Sequence, residues 1–517
     1  MIATGHLLQK TQYPDSSGGS DVVALAYNAQ GQRIYKKDQA GNVIEMDFDD
    51  SGREEHQRVT TLDADFDGDV RRISTTYDDL GRRELITQHD NATVGSGSVT
   101  DEVKYTYEGW GYISKIEQDN NSAVASSGGD EYEISYTYEK KQAIGRNTIR
   151  RVNFVAPSGN TFDHEYRSVG DRFDDDCSRV THIDDGATLL ALYSYNGVGQ
   201  VVGIDYSGIE IMMERFGGGA YDRLDRFDRL TDDIWVKDLS TDVAIYDLDI
   251  SYDRNGNIMD TADNVHVGFD VKYTIDNLDR LTRAQQGTLS GGSISSEAQD
   301  QTWILDQVGN WEDVTLDFDA DDVYTGTGEY DDDREHNDVN EITERDTDDD
   351  GTADHTLVYD EAGNLTDDDD EYEDVYDGFY RLRKVNDQSQ GLVAEHRYNG
   401  LGHRIAEHTD TDTDGDVDGN DEWHHFCYDE RWRVTAMFVD SDTEPTEEFM
   451  HHGAGNSGFG RSSYVDEVVI RDRDTDDNGS MEERIFYCQN WRHDVVAVVN
   501  SSGAQLEMVR YSAYGVP

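Results

Sequence analysis

Short alternations of apolar and polar residues run along much of this chain. The stretches "VKYTYEGWGYISKI" (103–116) and "EYEISYTYEKK" (131–141) return to an apolar or aromatic residue at about every second position. A period of two is typical of a strand that buries one face of a sheet. No long stretch shows the period of a helix, so the pattern predicts an all-β chain of antiparallel hairpins.

A turn motif punctuates these alternating stretches. It reads "YDDLGRREL" from Tyr77, "YDRNGNI" from Tyr252, "YDEAGNL" from Tyr359 and "YNGLGHRI" from Tyr398, and about a dozen copies begin at Tyr27. Asp or Asn can cap the local backbone, and the following Gly accepts a positive φ. The aromatic residue and the closing aliphatic residue favour burial on one sheet face. Each copy is therefore interpreted as the turn of one repeated hairpin.

The repeats resemble the RHS or YD-repeat family over nearly the whole chain. The last segment, "DVVAVVNSSGAQLEMVRYSAYGVP" (Asp494–Pro517), resembles the end of the RHS core. The resemblance implies one long antiparallel hairpin sheet that spirals into a hollow barrel or cocoon-like shell, as in bacterial toxin carriers, insecticidal toxin complexes and teneurins. We expect a weakly ordered N-terminal segment at 1–20, the repeat array at 21–490 and a closing segment at 491–517.

The charge of the chain narrows the classes of partner. Among 517 residues, 111 are acidic and 44 are basic, which gives a formal net charge of -67. This balance argues against nucleic acid, whose phosphates need Lys and Arg. It fits a divalent-cation binder, a protein kept soluble in high salt, or a shell around a basic cargo. The 30 Tyr, 15 Phe and 7 Trp argue against disorder.

Three further features bear on location. No apolar run approaches the ~20 residues of a membrane-spanning helix. The start of the chain lacks the basic and apolar regions of a signal peptide. The sparse cysteines, Cys177, Cys427 and Cys488, predict neither a disulfide framework nor a zinc site. We expect an extracellular or cell-surface setting, with the chain as a possible segment of a larger exported protein.

Four acidic runs share a second pattern. Each has acids or Asn at the first, third and fifth places and Gly at the sixth, a spacing that can wrap hard oxygen ligands around calcium. The runs begin at Asp63, Asp346, Asp410 and Asp474. The predicted calcium ligands are Asp346, Asp348, Asp350, Asp354, Asp410, Asp412, Asp414, Asp416, Asp418, Asp474, Asp476, Asn478 and Glu482.

The placement of the runs supports a shared geometry. Asp346 and Asp474 each precede the next repeat tyrosine by thirteen residues, and Asp63 does so by fourteen. We therefore expect the runs at the turn opposite the YD turn. Solvated surface acid is the alternative, and it is favoured for the run at Asp63, which has Arg71 at the ninth place. It is also favoured for 317–322, 330–336 and 367–374, which lack the Gly at the sixth place.

The sequence offers little for catalysis. It has no GxSxG or HExxH motif, and adjacent histidines, as at His424–His425 and His451–His452, point to opposite faces of a strand. We expect a non-enzymatic shell or surface scaffold that encloses or displays a protein cargo, or packs with copies of itself. The alternatives are a glycan-binding adhesin module and a toxin-carrier shell whose self-cleaving and toxin parts lie beyond this chain. A cryptic hydrolase or self-cleaving protease is a third hypothesis.

Overall fold

The computed structural model shows a chain built almost wholly from antiparallel strands. It describes residues 7–13, 22–124, 132–143, 146–166, 173–197, 199–206, 208–215, 223–237, 242–321, 323–389, 391–411, 417–454 and 467–515. Within these ranges there is one helix, α1, a single turn at Phe173–Cys177. None of the described helical structure is long and apolar enough to cross a membrane.

The first sheet contains 26 strands among the described residues. Its strands are β1 Lys10–Gln12, β2 Val22–Tyr27, β3 Arg33–Lys37, β4 Val43–Phe48, β5 Glu54–Thr61, β6 Arg72–Tyr77, β7 Arg83–His89, β8 Val99–Tyr107, β9 Ile113–Asp119, β10 Tyr132–Ala143, β11 Arg146–Val155, β12 Thr161–Glu165, β13 His182–Asp185, β14 Thr188–Asn196, β15 Gln200–Tyr206, β16 Ile211–Glu214, β17 Asp232–Lys237, β18 Val243–Tyr252, β19 Ile258–Asp263, β20 Asp270–Ile275, β21 Leu281–Ser290, β22 Ser293–Leu305, β23 Trp311–Asp317, β24 Tyr330–His336, β25 Ile342–Asp346 and β26 His355–Thr356.

The second sheet contains 13 strands in the described part of the chain. Its strands are β27 Val358–Tyr359, β28 Leu365–Asp367, β29 Tyr372–Tyr376, β30 Leu382–Asp387, β31 Gly391–Tyr398, β32 Arg404–Thr409, β33 Trp423–Tyr428, β34 Val434–Val439, β35 Glu447–His451, β36 Val468–Arg473, β37 Glu483–Gln489, β38 Val495–Asn500 and β39 Gln505–Met508. Only Leu357 separates β26 from β27, so one ribbon runs through both sheets.

Apart from β26 and β27, which do not pair with each other, each strand of the described residues pairs with its neighbours in sequence, and these strand pairings are antiparallel. Most hairpins shift register just before the tyrosine of the turn motif, as at Thr76/Tyr77, Ser251/Tyr252 and Arg397/Tyr398. Such a shift leaves one extra residue on the strand that follows the turn, as at Glu84 in β7, and increases the local twist. The predicted all-β hairpin array is confirmed, and among the described residues both sheets remain open.

The second residue of the motif organises each turn. Asp78 Oδ1 accepts the N–H groups of Leu80 and Arg82, both at 2.9 Å, and Asp78 Oδ2 accepts Nε of Arg82 at 2.7 Å. Gly81 lies between them with a φ of 81°, a value that glycine adopts without a steric penalty. The consensus therefore has a direct geometric cause.

Neighbouring turns are joined to each other. The Arg53 guanidinium lies 4.3 Å from the centre of the Tyr77 ring, and the Tyr77 hydroxyl donates to the Glu54 carbonyl at 2.9 Å. Arg82 repeats the contact with Tyr107 at 4.1 Å. These contacts align the turns along one edge of the ribbon, here called the YD rim. It comprises the turns 28–32, 49–53, 78–82, 108–112, 225–229, 253–257, 276–280, 306–310, 337–341, 360–364, 377–381, 399–403, 429–433 and 490–494.

The other edge of the ribbon, here called the opposite rim, carries the intervening loops. We call residues 22–356 the first coil and residues 358–515 the second coil. The YD rim of the second coil meets strand ends and loops of the first coil. The Tyr380 hydroxyl donates to Asp38 at 2.8 Å, across 342 residues, and Gln88 Nε2 donates to the Tyr398 carbonyl at 2.6 Å, across 310 residues. The ribbon has thus made one circuit and lies against itself.

Further along the chain, the two coils remain in contact. Trp235 Nε1 donates to the Gln489 carbonyl across 254 residues, and Arg510 pairs with Asp263 across 247 residues. The largest hydrophobic core contains residues of both coils, from Val103 to Tyr246 and from Cys427 to Val499. This shared core holds the circuit together.

Described segments near both ends of the chain contact the rest of the fold. Lys10–Gln12 pairs with Val22–Ala24 as an edge strand. At the other end, the Tyr514 ring centre lies 4.8 Å from those of both Trp303 and Trp311. The division into segments at 20 and 490 stays a prediction.

Candidate metal sites

The acidic runs lie on the opposite rim, as the sequence predicts. The run from Asp346 joins β25 to β26, and the run from Asp474 joins β36 to β37. The YD turns 337–341 and 490–494 close the other ends of these hairpins. The acids and the repeat turns therefore occupy the two ends of the same unit.

The loop from Asp346 gathers three carboxylates. Ligand oxygens of Asp346, Asp348 and Asp354 all lie within 4.8 Å of one another. Calcium–oxygen distances of about 2.4 Å let two ligands stand up to ~4.8 Å apart across one ion. The fourth predicted ligand, Asp350, is not in this group and donates its N–H to Asp346 at 3.3 Å. The three clustered acids fit a calcium ion.

Backbone donors shape this loop before any ion is considered. Asp346 is 8% exposed and accepts the Gly351 N–H at 2.7 Å. Asp354 accepts both the N–H and the hydroxyl of Thr347, and these bonds lower the pKa of the Asp354 carboxyl. Loss of hydration, and next the carboxylates of Asp350 and Asp354, raise the pKa of Asp348. A cation at this point would relieve that repulsion.

The loop from Asp474 has the same construction. Asp474, Asp476 and Glu482 bring ligand oxygens within 4.8 Å of one another. Asp474 accepts the Gly479 N–H at 2.7 Å, just as Asp346 accepts that of Gly351. Burial opposes ionisation of Asp474, but the N–H groups of Gly479 and Asn478 outweigh it and lower the pKa of its carboxyl.

Two backbone angles repeat between the loops. The fourth residues, Asp349 and Asp477, have φ of 51° and 56°, and the sixth residues, Gly351 and Gly479, have φ of 83° and 81°. Asn478 was predicted as the fifth-place ligand, but its side-chain amide donates to Glu482 at 3.3 Å. The two loops are copies of one turn, and Gly at the sixth place is part of its geometry.

The run from Asp410 is described only at its ends. Predicted ligands Asp412, Asp414 and Asp416 lie outside the described residues. Within them, Thr411 N–H donates to Asp421 at 2.7 Å, and Asp418 N–H donates to the same carboxylate at 2.8 Å. The bond from Thr411 matches the bond from Thr347 to Asp354. Asp421 therefore takes the position that the ninth-place acid holds in the shorter loops.

The run from Asp63 serves a different purpose. Asp67 lies against the second coil, where Lys384 pairs with it at 3.0 Å. Asp67 N–H also donates to the Tyr376 carbonyl at 2.8 Å. Its central carboxylate is thus engaged in contact between the coils.

Two acidic groups were not predicted. Asp317, Asp319 and Asp321 have ligand oxygens within 4.8 Å of one another, although the run was interpreted as surface acid because Gly is missing from its sixth place. Its alternating acids and its position on the opposite rim were the usable signals. The second group is Asp232, Asp247 and Asp249. It forms because Asp232 lies opposite Asp249 across β17 and β18, a pairing that no local motif reveals.

The histidine pairs and Cys427 lie in structural surroundings. His451 Nε2 lies 2.7 Å from the Val434 carbonyl, whereas His452 Nδ1 lies 2.7 Å from the Tyr193 hydroxyl. The two rings thus point to different partners. Cys427 is 1% exposed, and burial raises its pKa to about 12, which leaves a neutral thiol. The absence of enzymatic activity stays a prediction.

Comparisons with known proteins give structural matches alone. No protein-family profile matches the sequence, and no curated protein matches it significantly. Solved structures do match. A Photorhabdus luminescens Tc holotoxin pore with a mutation in TccC3 aligns with a TM-score of 0.62 and 13% identity, over 96% of this chain and 24% of that chain. A crystal structure of TcdB2-TccC3 aligns with 0.61 and 13%, over 95% and 25%.

A third structure gives the same result. The TcdB2-TccC3-Cdc42 crystal structure aligns with a TM-score of 0.60 and 14% identity, over 95% of this chain and 25% of that chain. This chain spans about a quarter of the length of the chains that it matches. The alignment extends over nearly all of the repeat ribbon, so the resemblance of this chain to the RHS or YD-repeat family is confirmed at the level of its fold.

Proposed function

We propose that this chain is a structural shell segment that encloses or displays a protein cargo outside the cell or at its surface. The observation that carries the proposal is the contact between the coils. The ribbon returns onto itself after about 250 to 340 residues, as the Trp235–Gln489 and Asp38–Tyr380 contacts record. A sheet whose distant parts are hydrogen-bonded to each other suits the wall of a container better than it suits a single open binding sheet.

Among the alternatives, the structural matches favour a toxin carrier. The matched chains are parts of a Tc holotoxin and of TcdB2-TccC3 assemblies. They supply a reason to propose a toxin-like passenger for this chain as well. The glycan-binding adhesin stays a prediction without a specific site to support it.

Imaging tests the shell directly. We expect cryo-electron microscopy of the isolated chain to show a curved β wall around a space large enough for a polypeptide. A solid, two-layered particle without an internal space would contradict the shell. A flat open ribbon would contradict it too, because the coil contacts would then have failed to form in solution.

We further propose that calcium stiffens the opposite rim. The loops from Asp346 and Asp474 share their backbone angles and each gather three acidic ligands. Asp346 and Asp474 would bind the ion with Asp354 and Glu482, and the ion would neutralise their mutual repulsion. The loop from Asp410 is a further candidate through Asp418 and Asp421.

Calcium titration with matched variants tests this proposal. We expect calcium to raise the melting temperature more than magnesium does. At a hundredfold excess over Kd, bound calcium should add about 2.7 kcal/mol to the free energy of unfolding for each independent site. The double variant Asp348→Asn/Asp476→Asn removes one ligand from each loop, and it should reduce both the stabilisation and the bound calcium in isothermal titration.

The control variant is Asp79→Asn/Asp338→Asn. It removes the same charge from exposed positions on the YD rim, and it should bind calcium as the wild type does. Sodium chloride at equal ionic strength controls for screening of the -67 charge. Equal melting temperatures in calcium and in chelator would show that the loops are acidic turns only.

A further inference from the structure

Large apolar side chains project from the YD rim of the first coil. They occupy the same place in five turns, two residues after the capping Asp or its equivalent. Exposed apolar side chains that lie close together can mark a protein–protein contact, and the equivalent residues of the turns 28–32, 49–53 and 253–257 are the polar Gln30, Ser51 and Asn255. The five are Leu80 at 77% exposure, Trp110 at 51%, Phe227 at 64%, Leu278 at 67% and Val308 at 74%.

The second coil shows how this place is used when a partner is present. Phe379 is the equivalent residue of the turn 377–381, and it packs against the first-coil cluster of Ile44, Met46 and Val59. Leu401 is the equivalent residue of the turn 399–403, and it lines a small cavity with Ile73 and Ile86 of the first coil. In both turns the apolar side chain is covered by another coil.

The backbone confirms the close approach of these two turns. A Cβ added to Gly378 would lie 2.8 Å from the Val59 side chain, and one added to Gly400 would lie 2.6 Å from that of Ile86. In the first coil, Gly109 precedes Trp110 in the same way as Gly378 precedes Phe379 and Gly400 precedes Leu401. The four other exposed turns carry larger residues there, so a partner would meet them through the apolar side chain and not through the backbone.

Basic side chains join the two coils where they meet. Arg383 and Lys384 of the second coil pair with Asp69 and Asp67 in the loop 63–71 of the first coil. The arginines that close the YD turns are already paired with the capping Asp of their own turns, as in Arg53, Arg82, Arg229 and Arg280.

We propose that the YD rim of the first coil binds the opposite rim of the second coil in another copy of this chain. The contact repeats between molecules what the two coils do within one molecule. It joins unlike surfaces, so each bound copy presents a further YD rim, and assembly continues in a stack instead of stopping at a dimer. This inference rests on the fold and does not depend on the proposed cargo.

Sedimentation velocity of the whole chain tests the proposal. We expect the average mass to rise with protein concentration up to about 100 µM without a plateau at two copies. Association should strengthen from roughly 0.15 M to about 2 M sodium chloride, because salt screens the repulsion between highly acidic copies while apolar contacts persist.

The variant Leu80→Ser/Leu278→Ser should weaken association at least about tenfold, the effect of removing a buried leucine from an interface. Val243→Ser/Val358→Ser is the matched control, since these valines are 53% and 48% exposed but belong to strands. It should associate as the wild type does. Unchanged melting temperatures would show that both variants fold.

Mixing distinguishes a stack from a symmetric pair. The Leu80→Ser/Leu278→Ser chain keeps its opposite rim, so it should cap wild-type stacks and shorten them. If two YD rims bound each other, the variant would leave wild-type assemblies unchanged, and the proposal would be wrong. A wild type that stays monomeric at every salt and protein concentration would overturn it, as would a variant that associates with wild-type affinity.

Discussion

The capping aspartate of each YD turn does three things with one side chain. In the turn 276–280, Asp276 Oδ1 accepts the N–H groups of Leu278 and Arg280, and Oδ2 accepts Nε of Arg280. The Arg280 N–H group, and then its guanidinium, lower the pKa of the Asp276 carboxyl. Arg280 in turn reaches the Asp306 carbonyl of the next turn at 2.7 Å. One carboxylate therefore fixes the turn and aims the link to its neighbour.

Substitution of this residue tests its role. Asp276→Ala should lower the melting temperature and increase amide exchange in the turns 276–280 and 306–310, because the N–H groups and Arg280 lose their acceptor. Asp276→Asn should cost much less, since Asn keeps the oxygen that accepts the backbone N–H groups. Asn399 already fills this place in the turn 399–403.

The control for this series is Asn277→Ala in the same turn, at an exposed position. It should exchange and melt like the wild type. The interpretation would be wrong if Asp276→Ala and Asp276→Asn lowered the stability equally, because the charge alone would then be responsible.

The structural role of a single residue could be predicted from the sequence where the residue belongs to a short local motif. The aromatic residue, the capping Asp and the Gly of the YD turn lie within five positions, and the structure gives each the expected part. Residues other than Gly fill this place in some turns: Asp279, Tyr380 and Trp432 adopt φ of 60°, 65° and 69°. Residues with a Cβ adopt this conformation at a steric cost, which the cap and the turn-to-turn contacts offset.

At the scale of strands and loops, the repeat unit was predictable almost in full. Alternation located the strands, and the interval between each acid run and its tyrosine located the acid loops on the opposite rim. The stretch "HTLV" (355–358), between an acid run and a YD turn, was expected to form one strand, and it is divided at Leu357 between β26 and β27. Asp350 was expected among the calcium ligands, and its carboxylate is not part of the group that Asp346, Asp348 and Asp354 form.

Pairing between distant elements could not be predicted. The contact of the turn 429–433 with β11 is an example, since Glu430 forms an ion pair with Arg151 and a hydrogen bond with Tyr136 across 279 and 294 residues. Burial opposes the charge, but Arg151 outweighs it and lowers the pKa of Glu430 to about 2. Nothing in the local pattern around Glu430 distinguishes it from the many exposed acids of this chain.

For the whole molecule, low pH affects the contact between the two coils, here called the junction. His164 of the first coil and His451 and His452 of the second line a cavity of about 20 Å³, room for one water molecule. Burial, and next the nearby arginines Arg151 and Arg433, lower the pKa of His164 to about 3. Burial and Arg433 lower that of His451 to about 3, and burial lowers that of His452 to about 4.

These lowered pKa values predict that acid loosens the junction. The unfolded histidines take up protons below about pH 6.5 while the folded ones do not, so the stability is complete above that pH and is lost as the pH falls toward 4. Each histidine should cost about 2 kcal/mol between pH 7 and pH 5. Asp101, whose pKa burial raises to about 7, acts in the opposite direction.

A histidine variant separates these contributions. The urea midpoint of His451→Gln should fall less between pH 7 and pH 5 than that of the wild type, because one titrating group is gone. Gln keeps an N–H donor for the Val434 carbonyl. His266→Asn is the control, since that ring is more than a third exposed, and it should keep the wild-type dependence. Equal pH dependence in His451→Gln and the wild type would contradict the prediction.

The separations between the contacts of the two coils also carry a consequence for shape. One circuit of the ribbon takes 342 residues at Asp38 and Tyr380, 310 at Gln88 and Tyr398, and 247 at Asp263 and Arg510. Strands in a sheet keep a nearly constant spacing of about 4.8 Å, so a circuit with fewer strands has a shorter perimeter. The circuits of the ribbon therefore shorten along the chain, so a space enclosed as in the proposed function would have a wide end and a narrow end.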